Sequence, residues 1–407
     1  MEQYVITGIG IHNGLGTTAE SSWQNLLSGK SAICPIIWPD DDDTKFPNTH
    51  SSLKIKIAGI SPKLQESDQH PDYFNYGWPN WDPNTRACLM SVDEAINDSN
   101  LTSKNVGVVV STFGSGTSLR LEIFSALNNG VKKISPRKSL NIGLDFPAAQ
   151  VSAIYKVQGP NTALDSACTT GLTSIEHAIN TLKANPELDA MIVGGSDHIA
   201  EPIYMYWFQS LGALSSEGSF PFDKSRNGFV MGEGAATIII EPLSKAQARN
   251  SKIYGIVKGT GFVTLFDSDT SPDPEGHGAR QCVNMALSKA GIPASSIDFV
   301  NAHATSTPVG DQVEFDAMKN ITPGRTMVSN KGQLGHTMAG AGIVETIYTL
   351  QGMRDSQVPG NANLIDPCGD GMLLPTTRTN LDIKYAIKNS FGFGGRNASI
   401  VLERYDG

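Results

Sequence analysis

One cysteine in this sequence lies where a nucleophile would be expected. The segment DSACTTGL, residues 165–172, connects a predicted short strand (162–166) with a predicted helix (169–183). Cys168 would therefore lie at the positive end of the helix dipole, which lowers the pKa of a thiol and favours the nucleophilic thiolate. The sharp turn would also direct the N–H of Cys168 at an oxyanion beside the sulfur. The alternative is a buried structural cysteine.

Two histidines follow predicted strands in the second half of the chain. His303 lies in NAHATSTPVGD, residues 301–311, and His336 lies in SNKGQLGHTMAGAG, residues 329–342. Catalytic groups of α/β proteins gather at the carboxyl ends of strands. A histidine at a helix N-terminus is disfavoured as a cation, so we expect His336 to be neutral and to donate from one ring nitrogen. The alternative for His303 is a core histidine with its hydrogen bonds satisfied.

Two further features accompany the histidines. Lys331 precedes His336 and could hold a water molecule or a histidine in place; a solvated lysine is the alternative. The loop NSFGFGGRN, residues 389–397, lies between two predicted C-terminal strands, and its glycines leave backbone N–H groups uncovered beside aromatic walls. A phosphate-binding loop is a competing interpretation, but no GK[ST] sequence follows and no helix begins there.

A reactive cysteine and two neutral histidines form a set with a definite chemical use. Hydrolysis by cysteine and histidine needs one histidine and a water molecule. Two histidines beside a thiolate suit an acyl thioester whose partner is decarboxylated, because their N–H groups can stabilise the enolate that remains when carbon dioxide departs. The residues therefore favour decarboxylative thioester chemistry.

The elements that must position these residues alternate between strand and helix. Apolar, β-branched runs such as YVITGIGI (4–11) predict buried strands, and helical spacing follows most of them. The alternation predicts an α/β fold in layers, with sheets covered on both faces. Because the order of elements repeats, we predict two halves, residues 1–245 and 246–407, which join near Pro242.

Composition narrows the classes of protein to consider. The chain has 31 Lys and Arg against 40 Asp and Glu, a net charge of −9, which disfavours nucleic-acid binding and requires a local basic patch for any acidic partner. Five cysteines cannot all pair, and none forms a CxxC motif, which favours a cytoplasmic protein over a secreted one. Neither a signal peptide nor an apolar run long enough to span a membrane is predicted.

Four motifs, in their order and spacing, resemble those of the β-ketoacyl-acyl-carrier-protein synthases of the KAS I/II type, in the thiolase-like superfamily: DSACTTG, NAHATSTPVGD, NKGQLGHTMAGAG and NSFGFGGRN. The opening YVITGIGIHNGLGTTAESSWQNLLSGKSAI and PFDKSRNGFVMGEGAA (221–236) match the same family, so the resemblance covers almost the whole chain. It implies a thiolase-like duplicated αβαβα fold, in agreement with the repeated order of elements, and a dimer.

The resemblance also implies an acyltransferase that elongates an acyl chain. Cys168 would carry the acyl group as a thioester. His303 and His336 would drive the decarboxylation of malonyl-acyl-carrier protein and stabilise the enolate, which attacks the thioester and yields a β-ketoacyl chain two carbons longer.

Further roles follow from the same resemblance. The N–H groups of Cys168 and Phe393 would form the oxyanion hole, and Phe393 would gate entry. Lys331 and Glu345 would order the histidine side of the site. Substrate would be contacted by Thr305, Thr307 and Phe391. No metal and no separate cofactor is implied, because the phosphopantetheine arm travels on the acyl-carrier protein.

The sequence departs from the family pattern at two places. Ser268 stands where the family often has a histidine, and residues 78–83 lack the basic cluster often used to dock the carrier protein. The replacement candidates for docking are Lys132, Lys133, Arg137 and Lys138, with a solvated charge run as the alternative. These departures favour type II polyketide or aryl-polyene assembly over housekeeping fatty-acid synthesis, in a homodimer or a heterodimer with a chain-length-factor-like subunit.

Three rival functions remain to be weighed. A non-elongating chain-length-factor-like subunit would lack the cysteine, so Cys168 with both histidines counts against it. A thiolase needs a second reactive cysteine near the C-terminal glycine loop, where this chain has Phe393. A thiol hydrolase would turn over an acyl thioester without a malonyl donor.

Overall fold

A ten-stranded β-sheet forms the middle of the computed structural model, which describes residues 2–37, 53–62, 81–114, 116–128, 130 and 140–407. The strands are β1 (Tyr4–Asn13), β2 (Ile33–Pro35), β3 (Ile57–Gly59), β4 (Val106–Ser111), β5 (Asn161–Thr162), β6 (Ala190–Asp197), β7 (Gly234–Pro242), β8 (Gly255–Thr264), β9 (Phe299–Asn301), β10 (Thr326–Val328), β11 (Gln357–Val358), β12 (Thr379–Asn380), β13 (Tyr385–Gly392) and β14 (Arg396–Glu403). The α-helices are α1 (Ala19–Leu27), α2 (Pro83–Ser99), α3 (Thr117–Asn128), α4 (Phe146–Tyr155), α5 (Thr170–Ala184), α6 (Pro202–Ser210), α7 (Leu243–Ala248), α8 (His277–Ala290), α9 (Pro308–Ile321), α10 (Lys331–Leu334) and α11 (Ala341–Asp355).

The sheet repeats one pattern on either side of its centre. Its strand order is β10-β9-β13-β14-β8-β1-β7-β6-β4-β5. Outward from β1, the pairs β1–β7 and β7–β6 are antiparallel, and β6–β4 and β4–β5 are parallel. Outward from β8, the pairs β8–β14 and β14–β13 are antiparallel, and β13–β9 and β9–β10 are parallel. The predicted duplicated α/β fold is confirmed; the boundary at residue 245 stays a prediction.

The central strands are apolar on both faces because helices cover both. Every residue of β1, β4, β6 and β7 is buried, which is usual for sheets enclosed in this way. The helices α5 and α11 approach closely where each begins. A Cβ atom on Gly342 would lie only 2.9 Å from the backbone nitrogen of Leu172. This contact brings the turn before α5, which holds Cys168, towards the segment before α11, which holds His336.

The strand before Cys168 is shorter than predicted. β5 ends at Thr162, and the chain from there to α5 is irregular. Irregular backbone at this point leaves room for a sharp turn in front of the helix. Within the described ranges, none of the helices combines the length and the hydropathy needed to cross a lipid bilayer.

Candidate active site

The turn that carries Cys168 is strained. Ala167 has a φ of +53°, in the left-handed region that residues with a Cβ atom seldom adopt. Gly392, at the end of β13, packs against the turn: a Cβ atom there would lie 3.2 Å from the backbone nitrogen of Cys168. Glycine at position 392 therefore keeps the surroundings of that N–H open.

Cys168 meets both histidines at the wall of one cavity. Its Sγ and one ring nitrogen each of His303 and His336 lie within 4.8 Å of one another. All three residues line a cavity of about 340 Å³, a volume typical of small-molecule sites. A sulfur and two imidazole nitrogens at this spacing could also bind a soft metal ion. Decarboxylative thioester chemistry gives each of the three groups a role that needs no metal ion.

Both histidines are held in the uncharged state. Burial lowers the pKa of each well below its usual value, and the positive charges of Lys331 and Lys388 lower both further. Nδ1 of His303 and both ring nitrogens of His336 have no hydrogen-bond partner among the described residues. The structure therefore agrees with a neutral His336, and the alternative of a fully satisfied core histidine is wrong for His303.

The expected lowering of the Cys168 pKa is wrong. Although this side chain faces the cavity and is only half-buried, burial raises the pKa of its thiol to about 12, and the positive charge of Lys331 offsets only part of that. The negative charges of Asp197 and Asp165 contribute to the same rise in pKa. Cys168 is therefore a neutral thiol at physiological pH, and its proton must leave as the sulfur attacks.

Lys331 is buried, so the alternative of a solvated lysine is wrong. Its Nζ donates a hydrogen bond to Oε1 of Glu345 at 2.5 Å, and the side chains of the two residues are only 2 % and 3 % exposed. Neither residue lines the cavity. The pair therefore does not touch substrate and acts through the charge that Lys331 exerts on His303, His336 and Cys168.

Two charged residues near the site are not singled out by the sequence motifs. Glu314, on α9, accepts hydrogen bonds from the backbone N–H groups of His303 and Ala304 at 2.9 and 2.7 Å and from the Asn389 amide at 3.0 Å. It therefore ties the histidine loop to the glycine loop. Lys388, on β13, is completely buried, and its Nζ lies 2.7 Å from Oε2 of Glu345. The one sequence feature that could have drawn attention to Lys388 is its position as the single charged residue in the strand YAIKNSFG.

The remaining predicted residues divide into two groups. Thr305, Thr307, Phe391 and Phe393 all line the cavity. The candidate docking residues lie outside the described part of the chain: Lys132, Lys133, Arg137 and Lys138.

Two family models match the chain. The model of the β-ketoacyl synthase N-terminal domain matches residues 1–246, and that of the C-terminal domain matches residues 254–365. The chain belongs to the β-ketoacyl synthase family. Among curated relatives of this synthase, it is 33 % identical to 3-oxoacyl-[acyl-carrier-protein] synthase 2 of Coxiella burnetii and 35 % identical to the Vibrio harveyi protein of that name, over 98 % of both chains in each case.

Solved structures share the fold of this β-ketoacyl synthase. One is a type II polyketide-synthase acyl-carrier protein in complex with its ketosynthase bound to the hexaketide; the TM-score is 0.84 at 24 % identity, over 99 % of this chain and 100 % of that one. Another is the ishigamide ketosynthase/chain length factor, with a TM-score of 0.87 at 23 % identity over 99 % of each chain.

Proposed function

We propose that this β-ketoacyl synthase condenses an acyl thioester on Cys168 with malonyl-acyl-carrier protein, in fatty-acid or polyketide biosynthesis. The observation that carries the proposal is the meeting of the Cys168 sulfur with one nitrogen from each of two uncharged histidines at one cavity. A hydrolase needs one histidine, and a subunit that only shapes a tunnel needs no nucleophile. Relatives across the full chain are named for this condensing activity.

The first half-reaction loads the acyl chain. The sulfur of Cys168 attacks the acyl carbonyl carbon, the bond from that carbon to the pantetheine sulfur breaks, and the proton given up by Cys168 ends on the departing thiol. The N–H groups of Cys168 and Phe393 hold the oxyanion of the tetrahedral intermediate. No resident cofactor is needed, since the pantetheine arm arrives with the carrier protein.

The second half-reaction forms the carbon–carbon bond. The bond between the malonyl α-carbon and its carboxylate breaks, carbon dioxide leaves, and the electron pair forms an enolate. Uncharged His303 and His336 donate hydrogen bonds to the enolate oxygen. The α-carbon then attacks the acyl carbonyl, the bond to Cys168 breaks, and the thiolate takes up a proton from solvent water.

The cavity lining supports an apolar acyl group. A cluster of aromatic rings lines the cavity: the ring centroids of Phe393 and Phe208 are 6.5 Å apart, those of Phe208 and Trp207 5.1 Å, and Phe113 lies 5.5 Å from Trp207 and 6.3 Å from Phe208. All four rings line the cavity. Flat aromatic walls stack well on conjugated groups, which favours an unsaturated or aryl chain.

The partners we propose are an acyl-carrier protein and a second synthase subunit, either a copy of this chain or a chain-length-factor-like protein. Structural neighbours include one ketosynthase in complex with an acyl-carrier protein and one paired with a chain length factor. The docking surface on this chain stays a prediction.

Mass spectrometry of the protein after incubation with acyl-acyl-carrier protein tests the proposal. We expect an acyl adduct on Cys168 that disappears, with formation of a β-ketoacyl product, when malonyl-acyl-carrier protein is added. A panel of saturated, unsaturated and aryl chains identifies the preferred group. An adduct on another residue, or none with any chain, would refute the assignment.

A further inference from the structure

Two buried lysines share one carboxylate behind the histidines. Lys331 Nζ contacts Oε1 of Glu345 at 2.5 Å, and Lys388 Nζ contacts Oε2 of the same residue at 2.7 Å. Lys331 and Lys388 are the only lysines buried in the described part of the chain. Each carboxylate oxygen therefore has its own ammonium partner.

Glu345 has two ammonium partners where one would match its charge. The buried carboxylate of Glu314, bridged to Lys388 by Asn389, adds a second negative charge at a greater remove, so the two ammonium groups do not stand isolated inside the protein. Either lysine alone would balance Glu345. Burial lowers the pKa of Lys388 to about 8, with Lys331 acting in the same direction and Glu345 and Glu314 opposing both. Because one lysine already matches the charge of Glu345, the presence of the second points to a role in the reaction.

Lys388 also connects the cluster to the loop over the cavity. Its Nζ donates a hydrogen bond to the carbonyl of Asn389. The amide of Asn389 donates in turn to Glu314, which accepts from the N–H of His303. One chain of contacts thus runs from Glu345 through Lys388 to the His303 loop, and β13 continues from Lys388 to Phe391 and Gly392, directly before Phe393.

We propose that Lys388 is a second positioning lysine of the active site, which holds Glu345 together with Lys331 and places positive charge behind both histidines. This inference rests on the condensing function proposed above. Lys388 does not line the cavity, so it affects decarboxylation through the histidines and not through contact with substrate. Since either lysine can hold Glu345, each partly compensates for the loss of the other.

A double-mutant cycle on Lys331→Met and Lys388→Met tests the inference. Decarboxylation of malonyl-acyl-carrier protein and acylation of Cys168 are measured for the two single variants and the double variant. We expect Lys388→Met to lower kcat for decarboxylation about tenfold, which is ~1.4 kcal/mol of barrier, with KM and Cys168 acylation changed less than twofold. The double variant should lose more than the product of the single losses, because it leaves a buried carboxylate without a cation.

Lys258→Met is the matched control. Lys258 Nζ contacts Oε2 of Glu403 at 2.7 Å, the same length as the Lys388 contact, on partly buried strands outside the cavity lining. It should leave decarboxylation unchanged. If the double variant does not fold, the additional substitution Glu345→Gln removes its unpaired buried charge. The two single variants can still be compared with the wild type in that case.

The outcomes separate this inference from the proposed function. Wild-type protein that neither acylates Cys168 nor decarboxylates malonyl-acyl-carrier protein would overturn the proposed function. If the wild type carries out both reactions, two results for Lys388→Met would overturn the role of Lys388. One is activity indistinguishable from that of the wild type, and the other is an equal fall in acylation and decarboxylation. Independent losses in the double variant would overturn the compensation between the two lysines.

Discussion

The imidazole rings of His303 and His336 stand at 82° to each other with their centroids 5.3 Å apart. Phe391 meets the first ring edge to face at 5.9 Å, and Phe229 meets the second in the same way at 5.8 Å. Rings fixed at this angle can direct two N–H groups at one oxygen from different sides. The arrangement suits an enolate oxygen, whose charge develops only after carbon dioxide departs.

Removal of either imidazole should separate the two half-reactions. His303→Ala and His336→Ala are each expected to lower malonyl decarboxylation about 100- to 1,000-fold, the usual loss for one oxyanion donor, while Cys168 is still acylated. Carbon dioxide release and the mass of the acyl-enzyme measure the two steps. His177→Ala, on α5 outside the cavity lining, is the control. An equal loss of acylation would assign the histidines to loading instead.

Alkylation of Cys168 should show a thiol of high pKa. Because burial raises that pKa to about 12, the thiolate fraction should grow about tenfold per pH unit without a plateau between roughly pH 7 and 9. Peptide mass spectrometry after timed iodoacetamide treatment gives the rate at Cys168, with the exposed Cys34 as the reference in the same sample. A plateau below about pH 8 would instead indicate a thiolate stabilised by the start of α5.

The sequence was sufficient to predict that the motifs meet at one site. It was not sufficient to predict how completely Cys168 is shielded from water. Cys168, His303 and His336 each follow a strand in chain order, and repeated α/β halves bring such positions to one place. The pKa of Cys168 depends instead on how completely other segments exclude water from the turn. The strand–helix pattern around Cys168 contains no information on that enclosure.

Lys388 shows the same limit in a strand. In YAIKNSFG, residues 385–392, a lysine directly after the apolar Ile387 suggests one solvent-facing side, because strand side chains alternate between faces. In this protein both faces of the central part of β13 are covered, and Lys388 is completely buried. Its partner Glu345 comes from α11, so only the packing of that helix on the sheet shows the pair.

Trp207 should limit the length of the acyl group. Its side chain belongs to the cluster of aromatic rings that lines the cavity and is 49 % exposed, so Trp207→Ala would enlarge the cavity where it meets solvent. Each additional methylene that becomes buried contributes ~0.8 kcal/mol, so kcat/KM for longer chains should improve about fourfold per methylene relative to wild type. Competition between acyl-carrier-protein substrates of different length measures the shift.

Ile203 supplies the control for the Trp207 variant. It lies one turn earlier on α6, is 41 % exposed and does not line the cavity. Ile203→Ala should leave the length preference unchanged. The same shift in both variants would mean that α6 acts on chain length through its general packing.

Gly392 should matter for acyl loading more than for stability. A Cβ atom there would meet the Cys168 backbone nitrogen at 3.2 Å and the Ser166 carbonyl oxygen at 3.5 Å. Gly392→Ala should therefore crowd the N–H proposed to hold the oxyanion and slow Cys168 acylation at least tenfold. The backbone of Gly392 is not left-handed, so the melting temperature should change little.

Gly324→Ala is expected to show the opposite behaviour. Gly324 has a φ of +72°, and no atom lies within 4 Å of the position its Cβ would take. The substitution should cost about 1 kcal/mol of folding free energy through backbone strain alone and leave acylation intact. Acylation rates and thermal melts of the two variants give both comparisons. If Gly392→Ala lowers the melting temperature as much as Gly324→Ala and loads at the wild-type rate, the Cys168 N–H is not the oxyanion donor.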